Sequence, residues 1–353
     1  TRHPRFAASI PKNLPESSKM AQTVRVGAVQ AEPAWLDLQG GVEKTIALIQ
    51  QAGKDGVNVL GFPEVWLTGY PWAIWTKSVV ENTELIHQYM ASSMAKVSPE
   101  MDRIRAACKE AGVFTVLGYS ERDGASLYIA QSFISTEGEI VLHRRKIKPT
   151  HVERSIWGDG QADSLTSVVD TQFGKVGGLN CWEHLQPLLR YYEYCQGVQI
   201  HVAGWPPMFP LPDPKKIKWP YHETGRIPSS SPGVLLEVAN QLCSQFLAIE
   251  GQAFVLVATQ VLTEGNLEKL NLVDSGVCQT PGGGFTMIYG PDGKPLCEPW
   301  PPGKEGIMQA DIDLKDIDYA KSMIDTVGHY SRPDLLSLNI NSTAAKPFHF
   351  MQE

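Results

Sequence analysis

The sequence predicts an α/β domain in which a mixed β-sheet carries helices packed outside it. Three observations lead there. Short apolar runs at 57–62, 113–120, 175–179, 200–204 and 253–260 read as strands, the first two with both faces buried. Segments with helical spacing alternate with these runs. Hairpin-forming stretches interrupt that alternation, so the sheet is mixed rather than purely parallel.

In chain order, 24–30 alternates as a strand and opens into Ala31-Glu32-Pro33. Residues 38–53 place Val42, Ile46 and Ile49 on one helical face. The strand at 57–62 ends at Pro63-Glu64; a helix at 101–111 leads into the strand at 113–120. Residues 127–135 pair with 140–143 across the turn at 136–139. A polar loop spans 146–163, and Phe173-Gly174 introduces a strand at Val176 that runs into Cys181. A helix over 184–194 carries Pro187 in its first turn. A strand at 200–204, a long helix at 235–250 and a strand at 253–260 follow. Residues 284–289 and 306–312 form a hairpin-like set around Pro291-Asp292-Gly293. With no internal repeat or linker inside 24–312, one large domain is expected.

The 353 residues are 42% hydrophobic and 20% charged, with a net charge of −7, as in an ordinary globular protein and too mild to point to nucleic acid. No apolar run approaches the ~18–20 residues that would span a bilayer. Residues 1–22 carry three prolines and four cations without an apolar h-region, and read as a flexible extension rather than a secretory signal. Six scattered cysteines without a CxxC pair argue against zinc and a disulfide framework, and favour a reducing, cytoplasmic setting.

Three residues with chemical potential sit at strand ends. Glu64 follows a buried strand, where desolvation would raise its pKa toward that of a usable base. Cys181 occupies a strand–helix corner, where free N–H groups favour thiolate. In the basic stretch 143–149, alternation puts Arg144, Lys146 and Lys148 on one side; it does not choose between the two lysines. Trp66, Tyr70, Trp72 and Trp75 cluster after Glu64, while Trp182 and Trp205 flank the later strand ends. They read equally as core or as an aromatic pocket. His184 is a candidate hydrogen-bonding group near Cys181, and His201 reads as a core histidine. Cys195 reads as buried and inert, and Gly282-Gly283-Gly284 as a tight turn.

Phe62-Pro63-Glu64, Arg145-Lys146-x-x-Pro149 and Gly178-Leu-Asn-Cys-Trp-Glu183, in this order, resemble the nitrilase superfamily of carbon–nitrogen hydrolases. The longer strings 146–154 and Cys181-Trp-Glu-His184 resemble its true nitrilase branch, and the similarity spans about 24–332. The resemblance implies an α-β-β-α sandwich and a Glu-Lys-Cys triad: Glu64 as general base, Lys146 rather than Lys148 as the cation, and Cys181 as nucleophile. A further glutamate maps to Glu153. Tyr70, Trp182, His184 and Trp205 are the candidate substrate-binding residues. No metal or organic cofactor is implied.

The activity so implied is hydrolysis of an organic nitrile, preferably arylaliphatic, to acid and ammonia. Cyanide hydration to formamide and a catalytically silent scaffold are the alternatives. The resemblance also implies a homo-oligomer, in a spiral or filament, with no nucleic-acid or membrane partner. The domain is expected over 23–325. The segment 221–231 and the tail 326–353 are the expected contacts between copies.

Overall fold

A computed structural model describes residues 23–209 and 236–345, apart from 274, 276, 277, 279 and 302; over 236–240 it describes backbone alone. The extension 1–22 and the expected contact segment 221–231 lie outside the described residues.

The elements run β1 (Thr23–Ala31), α1 (Leu38–Lys54), β2 (Val59–Gly61), α2 (Ala73–Thr76), α3 (Thr83–Ala91), α4 (Pro99–Ala111), β3 (Phe114–Asp123), β4 (Ser126–Ile134) and β5 (Ile140–Arg145). They continue β6 (Val168–Thr171), β7 (Gly174–Asn180), α5 (Pro187–Cys195), β8 (Ile200–Trp205), α6 (Leu236–Gly251), β9 (Phe254–Gln260), β10 (Met287–Tyr289), β11 (Gly306–Asp313) and α7 (Lys315–Met323). The strands form one mixed sheet in the order β5-β4-β3-β2-β1-β9-β8-β7-β6, with β10 on β9 and β11 on β1.

Only two residue pairs join β1 to β9, so the sheet bends there into two halves. Contacts between their inner faces include Gln131 Nε2 of β4 donating to Leu179 O of β7 (3.4 Å). Outside the first half, α1 and α4 bury Val42, Ile49, Met101, Ile104 and Cys108 against Val29, Leu60 and Leu117. The second half shares a core with Leu247 and Ala248 of α6 and Tyr194 of α5. The layers are therefore helix, sheet, sheet, helix, as the resemblance implied.

Local rules account for the best-defined helices. Asp37 caps α1 through Gly40 N (3.0 Å). In α4, Ser98 caps through Met101 N (3.2 Å), Pro99 sits in the first turn, and Gly112 closes the helix at φ +66°.

The structure also corrects the sequence reading. The segments at 284–289 and 306–312 are not a hairpin: β10 pairs with β9 and β11 with β1. The helix expected over 184–194 is split into a 3₁₀ turn, Cys181–Leu185, and α5, which starts at Pro187. Proline lacks the N–H that a continuous helix would use and fits the first turn of a new one. Cys195 is exposed at the end of α5 rather than buried. Gly282 and Gly283 bridge to Leu262 and Met208 instead of forming a simple turn. The helices α3 and α7 were not anticipated. No helix among the described residues is long and apolar enough to cross a membrane.

Candidate active site

Glu64 leaves the end of β2 on a loop laid across β3. Trp66 N donates to Gly118 O (3.0 Å), and a Cβ at Gly118 would stand 2.1 Å from Pro63 O. Only glycine allows that approach. Lys146 extends β5 by one ladder bond, from its N–H to Ile129 O (2.7 Å). Alternation then turns Arg144 and Lys146 inward, while Arg145 faces Glu121 and stacks on Tyr128. The strand ends before Lys148, which is half exposed and pairs with Asp159 (2.6 Å). Sharing a side with Lys146 therefore fails for Lys148, because alternation holds only within a strand.

Lys146 Nζ lies 2.8 Å from Glu64 Oε1 and 2.8 Å from Glu153 Oε2, and all three side chains are almost fully buried. Glu153 sits on a 3₁₀ turn (His151–Ser155), accepts from Thr150 N (2.6 Å), and receives the Tyr70 hydroxyl at 2.9 Å. Trp75 Nε1 donates in turn to Tyr70 (2.8 Å). The Cys181 sulfur and carboxylate oxygens of Glu64 and Glu153 lie within 4.8 Å of one another. These three could ligate a metal by spacing, but the Lys146 ammonium already lies between the two carboxylates.

The backbone is strained at each corner. Val65, His151 and Cys181 have φ of +43°, +46° and +48°. Such conformations cost about 1–3 kcal/mol each and gather where function over-determines geometry. One adjoins Glu64, one lies between Lys146 and Glu153, and one is the cysteine itself.

Electrostatics set the protonation states. Burial raises the Glu64 carboxyl to about 8, with Lys146 opposing and Glu153 adding to the rise. Its Oε2 has no hydrogen-bond partner. Burial also pushes the Cys181 thiol well above its ordinary value; Glu64 adds to this, and Lys146 and the Trp182 N–H oppose it without prevailing. The thiolate expected from a helix N-terminus is therefore absent at rest. Lys146 is held well above its ordinary value, because Glu153 and Glu64 outweigh the desolvation that would lower it.

Beneath the site, Arg144 binds Glu183 through two bonds of 2.7 and 2.8 Å. Glu183 also accepts from Ile147 N and Asn180 N, both at 2.9 Å. Its carboxyl stays below the ordinary value although burial works against this, since Arg144 and the two N–H groups outweigh it. This carboxylate ties the residue after Lys146 to the residue before Cys181. Sequence reasoning missed that link, although Arg144 on the side shared with Lys146 and Glu183 two residues after Cys181 were its signal.

Among the aromatic candidates, Tyr70 and Trp72 stand 5.2 Å apart between ring centres, and Trp75 stacks on His151 at 5.5 Å. Trp66 instead belongs to the outer core and donates to Thr45 (2.8 Å). Trp182 is half-buried. Trp205 is buried, donates to Ser244 and stacks on His184. Both ring nitrogens of His184 meet protein groups: Cys181 O, and His201 Nε2 at 2.9 Å. Neither His184 nor Trp205 therefore offers a free polar group to a substrate.

A family model described as carbon-nitrogen hydrolase matches residues 25–322. The chain is 67% identical to a nitrilase of Talaromyces marneffei, covering 93% of this chain and 98% of that protein. It is 47% identical to a cyanide hydratase of Armillaria gallica, over 94% and 89% of the two chains. An arylacetonitrilase of Macrophomina phaseolina shares 46% identity, over 91% and 92%. The crystal structure of a carbon-nitrogen hydrolase from Helicobacter pylori G27 superposes with a TM-score of 0.64 at 17% identity, covering 89% of this chain and 97% of that one. At that identity it speaks for the fold alone.

Proposed function

Because the chain belongs to the carbon-nitrogen hydrolase family, we propose that it is a nitrilase, converting an organic nitrile and two waters to a carboxylic acid and ammonia. The observation that carries this reading is the buried Glu64–Lys146–Glu153 group beside the Cys181 sulfur. In this reading Cys181 attacks the nitrile carbon as Glu64 takes the thiol proton. Lys146 supplies charge and a proton to the nitrogen, giving a neutral thioimidate, and the proton held by Glu64 passes back to Lys146 across their 2.8 Å contact, so that Glu64 is again a base. Glu64 then activates water; the tetrahedral adduct expels ammonia and leaves a thioester. A second water releases the acid and restores the thiol. Glu153 fixes Lys146, and Tyr70 fixes Glu153.

The similarity to arylacetonitrilases and the rings around Tyr70, Trp72 and Trp75 support an arylaliphatic substrate. His184 and Trp205 support the cysteine's turn rather than the substrate. The test is ammonia release from phenylacetonitrile and from cyanide, with product identification. Phenylacetic acid is expected. Formamide from cyanide without acid from phenylacetonitrile would replace this reading with cyanide hydration; no product from either would overturn it.

Glu64 sets the pH dependence. A base works only when deprotonated, so kcat/KM should fall as pH drops through its pKa. That acidic limb should lie well above the ~4.3 of a free glutamate, displaced toward about 8. Glu64→Gln should abolish hydrolysis. A limb at the ordinary carboxylate position, or an active Gln variant, would count against Glu64 as base.

The chain is further proposed to assemble as an open spiral of copies, in a reducing compartment that suits its six unpaired cysteines. The described part of the tail, 326–345, holds no helix or strand and presents Tyr330, Leu335 and Leu336 to solvent. Light scattering should report a large species, and truncation after Arg332 a smaller one. A monomer at micromolar concentration would refute assembly.

A further inference from the structure

A second polar chain runs behind the nucleophile. His184 Nδ1 meets the carbonyl oxygen of Cys181 at 2.5 Å, His184 Nε2 meets His201 Nε2 at 2.9 Å, and His201 Nδ1 meets Glu193 Oε1 at 3.1 Å. All three side chains are buried. They come from the 3₁₀ turn, β8 and α5, so their alignment is built by tertiary structure rather than by neighbouring sequence. Room is made for it: a Cβ at Gly177 in β7 would stand 2.6 Å from Glu193 Oε1.

The partners dictate where the protons lie. A carbonyl oxygen only accepts, so His184 Nδ1 carries hydrogen. A neutral His184 then presents a lone pair at Nε2, and His201 Nε2 must donate to it. One proton remains between His201 Nδ1 and Glu193, and on either atom it leaves this direction unchanged. The other groups facing His184 agree. Arg190 donates to its backbone oxygen (2.8 Å) and is neutralised by Glu250 (2.7 Å), while Trp205 stacks on the ring at 5.1 Å. Burial, then His201, then the nearby arginines push His184 well below its ordinary value, which keeps it neutral.

We propose that Glu193, His201 and His184 form a positioning relay that locks the Cys181–Trp182 peptide plane and so aims the cysteine's sulfur. The carbonyl of that peptide is held by His184. Its N–H, at Trp182, joins Lys146 in favouring negative charge on the Cys181 sulfur. Without the relay, a residue at φ +48° would have one restraint fewer against relaxing to an ordinary conformation. These are positioning residues: none touches the reacting atoms. The inference rests on the reading of Cys181 as nucleophile.

The test uses full-length His201→Leu, Glu193→Leu and Glu193→Gln proteins, with folding checked by circular dichroism. Two readouts are taken: nitrile turnover, and the rate of iodoacetamide alkylation of Cys181 followed by peptide mapping. Both Leu variants should lose on the order of 10²-fold in kcat, with KM changed by no more than about 3-fold, because misorientation costs the chemical step rather than binding. The alkylation rate should fall with kcat. Glu193→Gln should be largely rescued, since its amide donates to His201 Nδ1 and keeps the proton direction. Unchanged kcat and alkylation in a folded Leu variant would overturn the relay, as would equal losses in Glu193→Gln and Glu193→Leu. If the Leu variants do not fold, nitrogen-15 spectra of the unsubstituted protein decide: His184 bare at Nε2 supports the relay, and a proton there overturns it. Alkylation needs no substrate. A protein inert to nitriles whose alkylation still tracks the relay would defeat the functional reading and leave the relay standing.

Discussion

Cys181→Ala is expected to remove nitrile turnover, by on the order of 10³-fold or more, and to leave the fold in place. The loss is large because, among the described residues, the thiol grouped with Glu64 and Glu153 is that of Cys181. Cys108 is buried in the outer core and pushed up to about 12, and Cys195 lies exposed at the far end of α5. Loss of a nucleophile leaves only what binding and charge placement provide. The fold survives because the substitution keeps Cβ and removes a thiol that makes no hydrogen bond holding elements together. Ammonia assays and thermal melts on the same preparation check both halves. Turnover near that of the unsubstituted protein would show that another group attacks.

Lys146→Met is the second large effect, and it strikes stability as well as rate. Lys146 is the cation that Glu64 and Glu153 share, each at 2.8 Å, and all three side chains are buried. Removing it leaves two buried carboxyl groups facing each other. Breaking a buried pair in this way costs about 3–5 kcal/mol when the orphaned charge stays. Here protonation of Glu64 relieves part of that cost, so the protein should be weakest at alkaline pH, where Glu64 would ionise. The transition state loses at least about 2–3 kcal/mol more, by analogy with the loss of an oxyanion donor. Lys148→Met is the control. Its pair with Asp159 is half exposed, and such pairs contribute at most about 1 kcal/mol. Equal damage from the two substitutions would mean that Lys146 has no special role.

The difference between these lysines shows where the sequence stops speaking. Alternation in 143–149 marked one inward side, and Arg144 and Lys146 do share it. It could not report that β5 ends at Arg145 and frees Lys148. The buried strands and the helices α1, α4 and α6 were legible because each carries a broad apolar face. The helix α3 buries only Tyr89 and α7 only Ile317, so their patterns barely rise above those of loops. The pairing of β10 and β11 was hidden for another reason: proximity in sequence suggests a hairpin, and only the closed fold assigns them to different halves. The Arg144–Glu183 clamp escaped because its residues are 39 positions apart, and the relay through His201 because its members sit on three different elements. The resting thiol was missed because a helix terminus is a local feature, whereas burial beside two carboxylates is a property of the assembled site.

The placement of β1 has a consequence for how the molecule is made. It lies in mid-sheet, with β2 on one side and β11 along nearly all of the other. Arg25 and Asp311, which face each other in that ladder, are 286 positions apart. At ribosomal speeds of about 5–20 residues per second, the second partner follows the first by tens of seconds. During that interval the newborn chain carries a strand built for burial, with Val24, Val26 and Ala28 and one row of backbone groups unpaired. Such an edge is a template for any other strand it meets. The yield of soluble protein is therefore expected to depend on how soon residues 306–313 arrive relative to capture by a neighbouring chain. Slower elongation or a crowded polysome should then favour aggregation without changing a single contact of the finished fold.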